Sequence, residues 1–467
     1  MSESTLTELQ RNKIAIIGAG PTGLGAAFRL TELGLSNFTV FEASDHAGGL
    51  ASSFRDEAGF TWDIGGHVQF SHYKYFDTLM NRLLGDEWLF HERESWVWIC
   101  DRFVPYPFQN NIHSLPEEEK RKCLRGLIQL KKNGAPPPAN FGEWIRASFG
   151  DGIAQLFLLP YNFKVWAYPP EELSYTWVGE RVASVDLERV VFNMLDNRAD
   201  VAWGPNNQFQ FPLRGGTGEI WRRLAALLPA GSLQFGKKLV GVDTAQKRLR
   251  FLDGSAEPYD TLISTMPLDT LIGRSDLEAL KPAAETLKFS TVHVVGVGLR
   301  GSPPPHLKTK CWMYFPEATS PFYRATVFSN YSPNNVPDIS RHWSLMMEVS
   351  ESPSKPVDRE RLIDSVVDGL VATGLISNKS EVCSTWHYIA GHGYPTPFLS
   401  RDKVVNPLFT ALEERDIFSR GRFGAWKYEV SNQDHSLMQG VELINRLAFS
   451  TPEMTLNHPA IVNGAKQ

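Results

Sequence analysis

Gly18, Gly20 and Gly23 stand in G-x-G-x-x-G spacing directly behind the apolar run KIAIIGAG (13–20). The segment that follows, PTGLGAAFRLTEL (21–33), carries small and then apolar residues at helical spacing. Each glycine has a physical task. Gly18 permits a tight turn, Gly20 lets backbone N–H groups approach a pyrophosphate at the positive helix end, and Gly23 lets the helix lie close to the strand. Glu42 closes the next apolar run, FTVFE (38–42), where its carboxylate can accept both hydroxyls of an adenosine ribose. The opening of the chain therefore reads as a βαβ unit that binds a dinucleotide. The alternative is a glycine turn without a ligand.

Gly48 and Gly49 follow Glu42 closely and resemble the second phosphate-proximal glycine pair of flavoproteins with the glutathione-reductase-type fold, which favours FAD over NAD. Near the other end, Gly421 to Trp426 lead to Asn432, Gln433 and Ser436 at the start of a predicted helix. That is a second helix N-terminus for the ribityl and phosphate portion, or simple N-capping. No Ser-His-Asp constellation, metal-ligand cluster or isolated carboxylate pair offers itself as the principal catalyst. Cys100, Cys123, Cys311 and Cys383 lie far apart, which indicates neither a zinc site nor a disulfide framework. No metal is expected.

The elements that position these residues belong to a chain of 467 residues, a length that suggests roughly three domains. With 42% hydrophobic and 12% aromatic residues it can bury a large core, and a net charge of −5 argues against nucleic acid or an anionic membrane as partner. No run approaches the ~18 apolar residues of a membrane span, and MSESTLTELQRN at the start is too polar for a secretory leader. A cytoplasmic protein is expected. A helix is expected over 114–133, with Ser114 and Glu117 as a capping box and Gly134 as its stop. Further helical segments are expected to about residue 200, including DGIAQLFLL and Val178 to Val185. Residues 209–228 read as strand, glycine turn and amphipathic helix. LVGVDTAQKRLRFLDG reads as a hairpin and YDTLISTMP as a buried strand. Between 291 and 350 four β-rich runs in succession favour an antiparallel sheet. The last fifty residues return to strand then helix, with RGRFGAWKYE leading into HSLMQGVELINRLAF. The expected fold class is α/β: a Rossmann-like FAD-binding domain of glutathione-reductase type (1–75, 206–290 and 416–467), a helical domain with mobile substrate loops (107–205), and an antiparallel β-sheet domain (76–106 and 291–415).

Eight stretches carry a closer resemblance: GGHVQFSHYKYFD (65–77), VPYPFQNNI (104–112), PYNFKVWA (160–167), GERVA (179–183), FPLRGGTG (211–218), PFYRATVFSNYSP (321–333), GYPTP (393–397) and RGRFGAWKYEVSNQDHS (420–436). In these the chain resembles the UDP-galactopyranose mutases of the eukaryotic type. The resemblance implies an FAD enzyme that interconverts UDP-galactopyranose and UDP-galactofuranose without net redox. The flavin acts in its reduced form through a covalent adduct between its N5 and the sugar, with NADPH or NADH as electron donor. It implies that Arg181 and Arg324 clamp the diphosphate, a task that suits the planar, always charged guanidinium; in isolation either would read as a surface or ion-pair arginine. Tyr314, Tyr331, Tyr394 and Tyr428 correspond to tyrosines along the phosphates, the alternative for each being core packing. Phe108 and Gln109, with Tyr106 nearby, match uracil-binding positions. Asn162 and Trp166 match ribose and phosphate contacts. Asn206 matches a residue on a mobile flap, and 178–186 matches a second flap that brings in Arg181.

Gly65, Gly66 and His67 match a loop against the isoalloxazine, His67 being a redox-linked positioning group rather than an acid. The resemblance also places Thr22, Leu50, Leu239 and Arg422 at the cofactor. The segment between Tyr331 and Trp343 is short beside the fungal enzymes of this type, which favours a monomer. Three rivals remain: a mutase for a related sugar such as UDP-arabinopyranose, an amine-oxidase-like flavin oxidoreductase on the same fold, and a catalytically silent nucleotide-sugar binder.

Overall fold

The structure, a computed structural model, describes residues 2–201, 204 and 207–464. The strand Ile14–Ile17 is buried at every position, the pattern of a parallel strand covered on both faces. It pairs in parallel with Phe38–Phe41 on one side and Thr261–Ser264 on the other. Leu233–Gln234 and Ile417–Ser419 complete a five-stranded parallel sheet. On one face the helices Pro21–Glu32 and Gln433–Phe449 share a core that includes Leu24, Phe28, Leu437 and Ile444. On the other face the antiparallel strands Leu239–Asp243, Arg248–Phe251 and Ala256–Pro258 pack Val242, Leu249 and Phe251 against Ala15, Ile17 and Phe41. The hairpin and the buried strand expected from sequence are both present. The final strand, however, is Ile417–Ser419, so RGRFGAWKYE is the turn that follows it.

The second sheet has seven strands in the order 382–395, 289–300, 342–351, 324–327, 312–314, 95–99, 102–105. It is mixed rather than wholly antiparallel. Trp312–Tyr314 runs parallel to Ser95–Ile99, a strand delivered from far upstream, so no hairpin sets their direction. Register places Tyr314 opposite Arg324, and Arg324 opposite Glu348, so three polar side chains form a row across one face. The alternate residues Met313, Ala325 and Met347 enter the core behind it.

The helical part shares a core with the strands 95–99 and 102–105 at one edge of the second sheet. The helix Glu117–Asn133 begins after Pro116, and Ser114 belongs to a separate 3-10 turn, so the expected capping box is not made. Leu115 precedes a proline and is held extended, which prevents an earlier helix start. Gly134 does end the helix, with φ at 68°. The Ala154–Leu158 segment is one π-helical turn leading into Leu159–Trp166. Pro160 lies just beyond it, and the widened turn accommodates the ring and the missing donor. Val178 to Val185 is not helical beyond a 3-10 turn at Gly179–Arg181, and the next helix is Leu187–Leu195. Among the described residues, no helix is long and apolar enough to cross a membrane.

Candidate cofactor and substrate site

Gly18 has φ of +100°, and a Cβ on Gly23 would lie 1.9 Å from the Gly18 carbonyl oxygen, so the turn and the helix start exclude side chains. Gly20 is the N-cap of Pro21–Glu32. Glu42, 9% exposed, accepts the Ala19 N–H at 2.7 Å through Oε2 and the Ser44 N–H at 2.8 Å through Oε1. The carboxylate is thereby fixed beside the glycine turn with a lone pair left on each oxygen. The Gly48 N–H donates to the Ala19 carbonyl at 2.9 Å, and a Cβ on Gly49 would lie 3.3 Å from Gly20 Cα. The two glycine turns therefore meet main chain to main chain. The Gly421 turn abuts Thr22, and its N–H donates to Gln439 Oε1 at 2.7 Å. Asn432 is the N-cap of Gln433–Phe449 but makes no side-chain cap, which removes the plain capping alternative. Ser436 Oγ donates to the Ser431 carbonyl, and Gln433 Oε1 accepts the Trp221 indole N–H at 2.8 Å. Leu239 is buried in the core below the parallel sheet, and Leu50 packs between that core and the one under the second sheet.

The Gly65–His67 turn bridges to the row on the second sheet. Glu348, 2% exposed, accepts the Gly66 N–H at 2.9 Å, the Tyr323 hydroxyl at 2.6 Å, and two N–H groups of Arg324 at 2.8 Å each. Burial raises this carboxyl, but Arg324, Tyr323 and Gly66 outweigh it and hold it below the usual carboxylate range. Arg324 thus commits its Nε and Nη2 to a buried partner. His67 Nδ1 is buried without a hydrogen-bond partner. Burial pushes the imidazole down to about 4, with Arg422 and Arg324 adding to the effect against Glu348, so His67 is neutral at pH 7.

Aromatic rings surround the arginines. The Arg181 guanidinium lies 5.7 Å from the centre of the Tyr428 ring, its Nη2 donates to the Glu429 carbonyl at 2.6 Å, and its Nη1 is buried without a partner. Arg422 lies over Tyr394 at 4.9 Å and is held by the carbonyls of Gly393 and Ser431. Trp166 meets Tyr428 edge-on at 4.8 Å, and its Nε1 is also buried and unpartnered. Tyr314 sits 5.1 Å from Tyr106 and 5.3 Å from Tyr161, and its hydroxyl accepts the Trp312 N–H at 2.6 Å. The Tyr331 hydroxyl is buried and unpartnered among Phe209, Phe211 and Phe328. Gln109 donates to the Ala183 carbonyl at 2.6 Å, tying it to the Arg181 segment, while its Oε1 is buried without a partner. Asn162 donates to the Leu158 carbonyl at 2.8 Å. Phe108 is wholly enclosed, 4.8 Å from Phe157. Asn206 lies outside the described residues.

Sequence reasoning missed Glu348, Tyr323 and Tyr161. Tyr161 and Tyr323 stood inside quoted motifs, PYNFKVWA and PFYRATVFSNYSP. Glu348 stood in a β-rich run with no motif of its own, and only strand register brings it to Arg324. One grouping of metal-ligand type occurs among the described residues where none was expected: His72, Asp434 and His435, with ligand atoms within 4.8 Å of one another. Asp434 there accepts both the His72 ring at 2.7 Å and its backbone N–H at 3.1 Å, which ties the 65–77 segment to the last long helix.

Cradles of main chain, an anchored ribose-type carboxylate and an orphaned imidazole nitrogen fit a flavin dinucleotide. The model of the flavin containing amine oxidoreductase family matches residues 21–400. A crystal structure of reduced UDP-galactopyranose mutase aligns with a TM-score of 0.95 and 50% identity, covering 97% of this chain and 98% of that one. A putrescine oxidase bound to putrescine shares the fold, with a TM-score of 0.64 and 16% identity over 93% of this chain and 98% of that one. Among curated proteins, protoporphyrinogen oxidase 2, chloroplastic/mitochondrial, of Arabidopsis thaliana is 24% identical over 186 residues, which are 37% of this chain and 36% of that protein. A 4,4'-diapophytoene desaturase of Staphylococcus haemolyticus is 48% identical over 52 residues, 11% of this chain and 10% of that protein. These curated relatives are matched over about a third or less of their length.

Proposed function

We propose, since this chain belongs to the flavin containing amine oxidoreductase family and within it to the UDP-galactopyranose mutases, that it interconverts UDP-galactopyranose and UDP-galactofuranose with FAD and without net redox. The observation that carries this reading is the 50% identity to a reduced mutase over 97% of the chain. Gly18, Gly20, Gly23, Glu42 and Gly49 would hold the adenosine and pyrophosphate of FAD. Gly65, Gly66, His67, Arg422 and the Asn432–Ser436 helix start would hold its flavin half. When bound, the reduced flavin supplies the nucleophilic centre that the protein's own side chains lack. NADPH or NADH is the proposed source of its electrons.

The protein's part is to bind, orient and retain. Arg181 and Arg324 present their remaining N–H groups to the diphosphate, and with the surrounding phenols they stabilise it as it leaves and returns. Arg324 does this from a fixed position, because Glu348 locks its side chain and spends part of its charge. Tyr106 and Gln109 receive the uracil, whereas Phe108, fully buried against Phe157, offers it no exposed surface. Asn162 and Trp166 face the ribose and phosphates. Closure of the 178–186 segment over the sugar would exclude water from the reacting centre. Neutral His67 accepts or donates one hydrogen bond beside the flavin without carrying charge into it.

The reading is tested by incubating dithionite-reduced protein with UDP-galactofuranose and separating the products by chromatography. UDP-galactopyranose is expected. Absence of conversion while the flavin stays reduced refutes the proposal.

A further inference from the structure

The helix Leu159–Trp166 has two working faces. Asn162 and Trp166 belong to the site above, whereas Pro160, Phe163 and Lys164 line a different cavity of about 610 Å³. None of the candidate cofactor or substrate residues lines it. Its volume falls in the range of small-molecule pockets, and Leu156, Val349, Val357 and Leu362 make its walls largely apolar. Two ammonium groups enter this apolar space. Lys164, 8% exposed, donates to the carbonyls of Glu317 and Ser320, each at 2.8 Å. Lys355 donates to the Ser350 carbonyl at 2.6 Å.

Neither ammonium is hydrogen-bonded to a carboxylate, although Glu317 and Asp358 also line the cavity and Glu317 and Glu351 attract Lys164 and Lys355, respectively, through space. Glu317 accepts the Cys100 N–H at 2.8 Å. Glu351 takes Arg359 at 2.9 Å and His293 at 2.8 Å. Asp358 accepts the N–H groups of Glu360 and Arg361, each at 3.2 Å. Burial pushes Lys164 down to about 7, with repulsion from Lys355 adding to it, and burial pushes Lys355 down to about 8. Two largely buried cations with no directly bonded carboxylate are costly to keep charged. An anion bonded to both would favour their charged forms and raise both pKa values.

We propose that this cavity binds an amphipathic organic anion, its carboxylate or sulfonate head between Lys164 and Lys355 and its apolar body against Phe163 and Leu362. The site is separate from that of the nucleotide sugar, although both share the 159–166 helix. The test uses the FAD-loaded protein with anilinonaphthalene sulfonate as fluorescent probe, calorimetry for stoichiometry, and octanoate and octanol as competitors. One site per chain is expected. Binding should weaken at least tenfold in Lys355→Met, which removes one charge, and in Ser365→Trp, which fills the cavity from the 362–372 helix. Octanoate should displace the probe at least tenfold better than octanol, and saturating UDP should leave it bound. The proposal is overturned by no binding up to ~1 mM probe, by affinity unchanged in both variants, by octanol competing as well as octanoate, or by displacement with UDP.

Discussion

The glycine turns at the parallel sheet present main chain, whereas the region around Arg181 and Arg324, proposed for the diphosphate, presents side chains. A Cβ on Gly23 would collide with the Gly18 carbonyl and one on Gly49 would press on Gly20 Cα at 3.3 Å, and the N–H groups of these turns have fixed directions. Around Arg181 and Arg324 the surface consists of guanidinium and phenol groups, and each of the two guanidiniums is held by a partner farther off in sequence. Arg324 depends on Glu348, and Arg181 depends on the carbonyl of Glu429. A site made of backbone is rigid and tolerates no added atom. A site made of side chains is adjustable and fails in graded steps.

Gly23→Val should show the first kind of failure. Its side chain would overlap the Gly18 carbonyl, so the purified protein should retain almost no flavin by absorbance and have no measurable turnover. Wild-type flavin content in that variant would break the contrast. Next in size, Arg324→Ala and Arg181→Ala should each lower kcat by roughly 10²–10³-fold, the usual loss when one charge-stabilising donor is removed. Flavin content should stay unchanged in both. Loss of flavin along with activity would show that the two regions are not separable.

Glu348→Gln leaves Arg324 partly buried without its counter-charge, and removing one partner of a buried pair costs about 3–5 kcal/mol. A denaturant midpoint within error of wild type would mean that the pair is not the anchor described here. The smallest effect concerns His67. Its folded pKa, about 4, lies below the ordinary 6.5. As pH falls through 6.5 the unfolded chain takes up this proton first, so the stability that His67 contributes above that pH is lost between 6.5 and about 4. Chemical denaturation should therefore show a steeper fall for wild type than for His67→Gln between pH 6.5 and 5. Parallel curves would remove the neutral-imidazole assignment.

The same contrast explains what could be read from sequence. Glycine spacing after an apolar run and an acid at the end of the next strand are local signals, and the parallel sheet, the helix at 21–32 and the anchored Glu42 follow from them. The row Tyr314–Arg324–Glu348 is set by pairing between three strands, which composition does not encode. The reading of Arg324 in isolation as an ion-pair arginine describes its pairing with Glu348. Short-range rules also failed where a neighbour overrode them. Pro116 displaced the capping box at Ser114, and loop packing through Gln109 and Glu429 held 178–185 out of a helix.

An isomerase built on an oxidoreductase frame is distinguished by how many electrons each product requires. The decisive measurement reduces the protein once with a single two-electron charge under strict anaerobiosis, supplies excess UDP-galactofuranose, and counts UDP-galactopyranose formed per flavin. The account predicts many products per reducing charge, with the flavin spectrum still reduced at the end. One product or fewer per charge, with the flavin reoxidised in proportion, would contradict it.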